Sequence, residues 1–143
     1  MNIVTNFADL QISKEIIRAM KDMGWDEPTP VQIAAIPVGL QGGDMYAEAQ
    51  TGTGKTAAYI LPLLMKVKYA QGSHPRALIL APTRELVMQI EEVARQLAQN
   101  TDLRIVSLYG GLGPKTQIEH ITAGVDIIIS TPGRFMDLYR KGN

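Results

Sequence analysis

Ala49-Gln50-Thr51-Gly52-Thr53-Gly54-Lys55-Thr56 sits between a short apolar run and an apolar pattern of helical period. It fits the phosphate-binding P-loop, G-x-x-x-x-G-K-[ST], with Ala49 in place of the first glycine. Each residue type has a task there. Gly52 and Gly54 permit a tight turn that aims successive backbone N–H groups at phosphate oxygens. Lys55 reaches the outer phosphates, and the Thr56 hydroxyl can hold a magnesium ion. The helix that follows turns its positive dipole end toward the same phosphates. A nucleotide, with Mg2+ at Thr56, is the expected ligand.

Around this loop the chain alternates. Apolar runs near 45–49, 77–81, 105–109 and 125–130 predict buried strands. Helical spacing separates them, carried by Tyr59, Ile60, Leu63, Leu64 and Val67 and then by Leu86, Ile90, Val93 and Leu97. Strands alternating with helices imply an α/β fold, a parallel sheet with helices on both faces. Upstream, Ser13 is placed to cap a helix with an apolar face of Ile16, Ile17 and Met20, ending at Gly24. A second helix is expected from Thr29, with Pro30 first and Ile33, Ile36 and Leu40 facing the core. Pro37 should bend or break it, and Gly42-Gly43 should stop it.

Four turns follow the four expected strands: Thr51 to Gly54, Pro82-Thr83-Arg84-Glu85-Leu86, Gly110-Gly111, and Thr131-Pro132-Gly133-Arg134. All four should face the carboxyl edge of the sheet, where open parallel sheets bind ligands. Thr131-Pro132 reads as a helix start, whose N–H groups make an anion site with Arg134. Thr83 and Arg84 make a similar one, and Gly110-Gly111 admits a close backbone approach. Any one of these turns alone is ordinary loop and cap chemistry. Together they suit a phosphodiester strand held by sugar and phosphate, with little sequence preference.

Composition narrows the classes. Lys+Arg and Asp+Glu number 14 each over 143 residues, so a nucleic-acid site must be local. There is no cysteine, hence no disulfide framework or thiolate metal site. The first residues lack a signal-peptide pattern and no apolar stretch is long enough to span a membrane, which fits a cytoplasmic setting. His74 and His120 read as surface residues. Thr29-x-x-Gln32 is a capping box, in which Gln32 reaches back to the Thr29 N–H. Equally, the Gln32 amide, with a donor and an acceptor, can read the edge of a base, and Trp25 can stack on that base or pack on the first helix.

In this order, the segments resemble the N-terminal RecA-like P-loop domain of DEAD-box RNA helicases. Residues 25–32 resemble the family's Q motif, with Trp25 for the usual Phe, and Phe7 stands where the family has an upstream aromatic. Residues 49–56 resemble motif I, in which Ala comes first. Pro82 to Leu86 resemble motif Ia, Gly110-Gly111 the GG motif and Thr131 to Arg134 motif Ib. The resemblance implies ATP and Mg2+ as cofactors. Gln32 would read adenine, assisted by Thr29, Trp25 and Phe7, and residues Ala49, Gln50, Thr51, Gly52, Thr53, Gly54, Lys55 and Thr56 would bind phosphates. Pro82, Thr83, Arg84, Gly110, Gly111, Thr131, Pro132, Gly133 and Arg134 would grip RNA by its backbone.

The Asp-Glu-Ala-Asp and Ser-Ala-Thr motifs are absent from these residues, and so is a second RecA-like domain with its arginine finger. Hydrolysis needs an acid at a strand end beside the P-loop, and no apolar run here ends in one. Glu48, Glu85 and Asp126 are wrongly placed. The chain is expected to be a truncated piece of that domain, with 1–43 as the Q-motif region and 44–143 as P-loop βα units, inactive alone and prone to self-association through an uncovered sheet edge. Two other readings are a binding-only nucleotide or RNA module and a small P-loop phosphotransferase. The latter would need an Arg-rich lid, which is not found.

Overall fold

In the computed structural model, residues 4–50, 52, 54–111 and 113–143 are described. Thr51 and Thr53 of the P-loop lie outside them. The chain forms two compact units, 1–68 with 96–101, and 69–95 with 102–143.

The first unit is helical. A 3-10 turn, Phe7–Leu10, is capped at Asn6, whose side chain accepts from the Asp9 N–H while the Asp9 carboxylate accepts from the Asn6 N–H. Helix α1, Lys14–Asp22, follows Ser13 and buries Ile16, Ala19 and Met20, with Ile17 half-buried. Helix α2, Pro30–Leu40, does not break at Pro37. Its buried face is Gln32, Ala35 and Ile36; of the expected stripe, Ile36 is buried and Leu40 half-buried, but Ile33 is exposed. Helix α3, Lys55–Val67, also runs through a proline, Pro62. There it passes so close to α2 that a Cβ on Gly39 would meet Pro62 at 2.7 Å. Ile60, Leu61, Leu64 and Val67 are buried and Tyr59 is on the exposed side.

The expected strand at 45–49 does not form. Residues 43–50 have no regular structure, and 45–48 are exposed. They run beside α2, and the two line an apolar cleft of about 560 Å3. A strand exists through its neighbours' N–H and C=O groups, and among the described residues of this unit there is no other strand.

The second unit holds the sheet: β1 Ala77–Leu80, β2 Ile105–Leu108 and β3 Ile127–Ser130, all parallel, in the order β1-β3-β2. Helix α4, Arg84–Leu97, leaves β1; α5, Lys115–Thr122, leaves β2; α6, Pro132–Arg140, leaves β3. Val106, Leu108, Ile128 and Leu138 form a core with Ile118 and Ile121 of α5 packed against it. Ile79, Ile105, Ile127 and Ile129 point to the other face and are buried. The step from β1 to β2 moves one way across the sheet and the step from β2 to β3 moves back. Right-handed crossovers in opposite directions place their helices on opposite faces, so α4, with Val87, Ile90 and Ala94 buried, covers the isoleucine face. The register, Leu80 and Leu108 both level with Ser130, ends all three strands at one line.

Asp126 closes the opposite, amino end of the sheet. Its carboxylate is fully buried and accepts from the guanidinium groups of Arg76 (2.9 Å) and Arg104 (2.9 and 3.1 Å) and from the N–H groups of Gln71 (3.1 Å) and Arg104 (2.9 Å). Burial alone would raise its pKa, but these donors outweigh burial and hold it far below the usual carboxylate range.

Candidate nucleotide and phosphate-backbone sites

Gly54 is the N-cap of α3 at φ +84, and Gly52 has φ +83. Both occupy the left-handed region that side-chain-bearing residues avoid. Their surroundings differ. A Cβ on Gly52 would meet nothing within 4 Å, whereas one on Gly54 would collide with the Gln32 amide and lie 3.2 Å from Thr29 Oγ1. The loop is therefore open on one side and backed by α2 on the other. Lys55 and Thr56 open a 13-residue helix whose first turn carries no acidic side chain, a site that favours an anion. Tyr59, one turn on, is 39% exposed; the partial desolvation of the rest of the side chain raises its phenol pKa above the ordinary value, with a hydrogen bond to Thr56 pulling the other way.

Gln32 is 4% exposed. Its Oε1 accepts from the Thr29 N–H at 2.9 Å, and its Nε2 donates to the Gly54 carbonyl at 3.2 Å. The capping role is thus filled, and the same side chain ties the start of α2 to the turn that begins α3. An amide offers two N–H groups and two lone pairs, so one of each remains beyond these two bonds. The chemistry of the donor set fits a nucleotide: an anion cradle with an amide attached to its wall.

Phe7 is 4% exposed, and it lines a cleft of about 300 Å3 together with Trp25. Neither Gln32 nor a described P-loop residue lines that cleft. Ala49 is half-buried and Gln50 exposed at the end of the irregular stretch.

In the second unit, three of the four expected turns leave the sheet at one edge. Ala81 N–H donates to the Ser130 carbonyl (3.0 Å) and Thr131 N–H to the Leu108 carbonyl (3.1 Å), which locks the three strand exits together. Thr83 caps α4, its Oγ1 accepting from the Leu86 N–H at 3.2 Å. Thr131 is the N-cap of α6 and Pro132 its first residue, and the Thr131 hydroxyl makes no capping hydrogen bond. Pro82, Gly110, Pro132 and Gly133 are exposed and Arg134 half-buried. Of the two adjacent glycines, Gly111 has φ +88, while Gly110 is not left-handed and has open space at its Cβ position.

Arg84 lies over the Tyr109 ring, its Cζ 5.1 Å from the centroid, and a Cβ on Gly111 would come within 3.1 Å of its NH1. Sequence reasoning missed Tyr109 and Gln117, whose Nε2 donates to the Tyr109 carbonyl at 3.1 Å. Tyr109 ends an apolar run and reads as core there. Gln117 is buried at 7% exposure, which only the fold reveals, so no local signal in the sequence marks it. Among the described residues, no group of three or more His, Cys, Asp or Glu is placed to hold a metal ion.

A sequence profile of the DEAD/DEAH box helicase family matches residues 29–143. The probable ATP-dependent RNA helicase DDX27 of Homo sapiens is 46% identical over 134 residues, covering 92% of this chain and 18% of that protein. The ATP-dependent RNA helicase ddx23 of Dictyostelium discoideum is 38% identical over 147 residues, covering 98% and 18%. The crystal structure of a DEAD box protein from the hyperthermophile Methanococcus jannaschii superposes with a TM-score of 0.87 at 34% identity, covering 96% of this chain and 38% of that one. The chain thus spans 18% of the length of these two curated relatives.

Proposed function

The chain belongs to the DEAD/DEAH box helicase family, and from that premise we propose that it is the ATP-binding and RNA-backbone-binding part of an ATP-dependent RNA helicase. The bond from Gln32 to the Gly54 carbonyl carries the reading, because it couples the one base-reading amide to the phosphate loop. Gly52, Gly54, Lys55 and the first N–H groups of α3 hold the phosphates. The spare N–H and lone pair of Gln32 face the adenine edge, with Thr29 keeping the amide in place. Trp25 and Phe7, which line a cleft of their own, support the base from behind the Q-motif segment without lining the Gln32 site. Thr56 holds Mg2+, which when bound screens phosphate charge and orients the phosphates. Arg84, Gly111, the α4 start and the α6 start with Arg134 take successive phosphates of one RNA strand along the carboxyl edge of the sheet.

Residues 1–43 form the Q-motif region and 44–143 the P-loop βα units of a partial N-terminal domain, whose activity is completed by a second RecA-like domain. No Asp-Glu-Ala-Asp sequence is present, so the chain by itself binds without turnover. Among the described residues no helix is long and apolar enough to cross a membrane, in keeping with the cytoplasmic setting that we propose.

Calorimetry with ATP and GTP, on wild type, Lys55→Ala and Gln32→Ala, tests the nucleotide half. ATP should bind more tightly than GTP, Gln32→Ala should erase the difference, and Lys55→Ala should weaken both. Equal ATP and GTP affinity in the wild type would remove Gln32 as the base reader.

A further inference from the structure

We propose that Tyr109 is a positioning residue for Arg84, its ring holding the guanidinium against the Gly111 backbone so that the N–H edges of Arg84 are presented to an RNA phosphate. The proposal deepens the RNA-backbone reading above and rests on it. Arg84 is an exposed side chain at the start of α4, and an exposed arginine loses rotamer freedom when a ligand orders it. Here it is already ordered from two sides. Its Cζ stands 5.1 Å from the Tyr109 centroid, within cation–π range. On the other side, NH1 lies where a Cβ on Gly111 would approach to 3.1 Å, and Gly111 has φ +88, so glycine supplies both the turn and the room.

The platform is itself fixed. Tyr109 follows β2 directly, and its carbonyl accepts from Gln117 Nε2, a side chain held in the interior by α5. Among the described residues no carboxylate pairs with Arg84. An aromatic ring takes the face of a guanidinium and leaves its N–H edge unspent, whereas a carboxylate would occupy the edge that a phosphate needs. Tyr109 therefore orders Arg84 without competing with RNA.

Fluorescence anisotropy with a dye-labelled single-stranded oligouridylate, at low salt and with the full 143-residue chain, tests this. Tyr109→Leu should weaken binding about two- to fivefold, the value of an exposed cation–π pair, and Tyr109→Phe, which keeps the ring, should bind like wild type. In an Arg84→Ala background, Tyr109→Leu should cause no further loss, since Tyr109 acts through Arg84. Additive losses would overturn the inference, because Tyr109 would then touch RNA itself or act on the fold. So would Tyr109→Leu binding like wild type while Arg84→Ala binds weakly. Wild-type affinity in Arg84→Ala would instead refute the RNA role of Arg84. Should Tyr109→Leu lower the melting temperature, Tyr109→Met replaces it: the apolar bulk stays, the ring goes, and the same two- to fivefold loss is expected, with wild-type affinity overturning the role.

Discussion

Gly54→Ala is the substitution at which backbone strain, the Gln32 bond and nucleotide binding meet. At φ +84 an alanine pays the left-handed penalty, about 1–2 kcal/mol. Its Cβ would also sit on the Gln32 amide and 3.1 Å from Gln32 Cδ, so Gln32 must withdraw. Withdrawal breaks the 3.2 Å bond to the Gly54 carbonyl, worth about 1 kcal/mol. The sum is about 2–3 kcal/mol, divided between fold and site. If the loop stays in place, the loss falls on stability, a drop of about 2–4 °C in melting temperature per kcal/mol. If the loop relaxes, it falls on ATP affinity, roughly thirty- to 140-fold at tenfold per 1.4 kcal/mol. Differential scanning fluorimetry and calorimetry on the same preparation read both parts. Gly52→Ala, with the same φ but open space, is the control and should lose only the strain part. Gly54→Ala with unchanged melting temperature and unchanged ATP affinity would refute the reasoning. Equal losses in the two variants would show that the Gln32 contact adds nothing.

RNA affinity should fall with salt and ignore sequence, and the double change Arg84→Ala, Arg134→Ala should flatten the slope of log K against log salt by about 1.4, from ~0.7 per phosphate contact; an unchanged slope removes both residues from the site. Asp126→Asn should destabilise the second unit in urea melts at pH 7 by about 2–3 kcal/mol, below the usual cost of breaking a buried pair because Arg76 and Arg104 are 29% and 33% exposed and can rehydrate. The depressed carboxyl pKa means that this contribution is complete above the unfolded value of about 4 and is lost as pH falls toward the folded one, so wild type and Asp126→Asn should converge in acid; a gap that widens there contradicts the sign. The outer edge of β1, with Leu78 and Leu80 44% and 53% exposed, should promote association between copies; light scattering should show mass rising with concentration and Leu80→Lys suppressing it, and a strict monomer at high concentration rules it out.

The three strands at 77–80, 105–108 and 127–130 were legible because each is a short apolar run between a helix and a turn. The run at 45–49 has the same local look and forms no strand, since a strand is a property of a pair and periodicity sees one partner only. Pro37 is different: expected to bend or break its helix, it sits inside α2, as Pro62 sits inside α3 where a continuous helix was expected, and packing of α2 on α3 at Gly39 and Pro62 outweighs the local cost. The site was legible wherever its chemistry is local, as in the Thr83 and Thr131 helix starts. The Arg84–Tyr109 contact joins residues far apart in the chain and left no mark on the pattern. Asp126 was legible only as an acid in the wrong place for hydrolysis; its pairing with Arg76 and Arg104 spans 50 and 22 residues, beyond the reach of any local pattern.

The order β1-β3-β2 also sets the timetable of folding. Of the described strands, β3 comes third in the chain and is the central one, and β1 and β2 touch only through it. Ala77 waits for Ile127, about 50 residues later, before its first ladder bond can close. Without 127–130 the two earlier strands have no partner among the described residues, and the Asp126 clasp on Arg76 and Arg104 needs the same segment. The three described strands, and the carboxyl edge that would carry RNA, therefore come together only when β3 joins them.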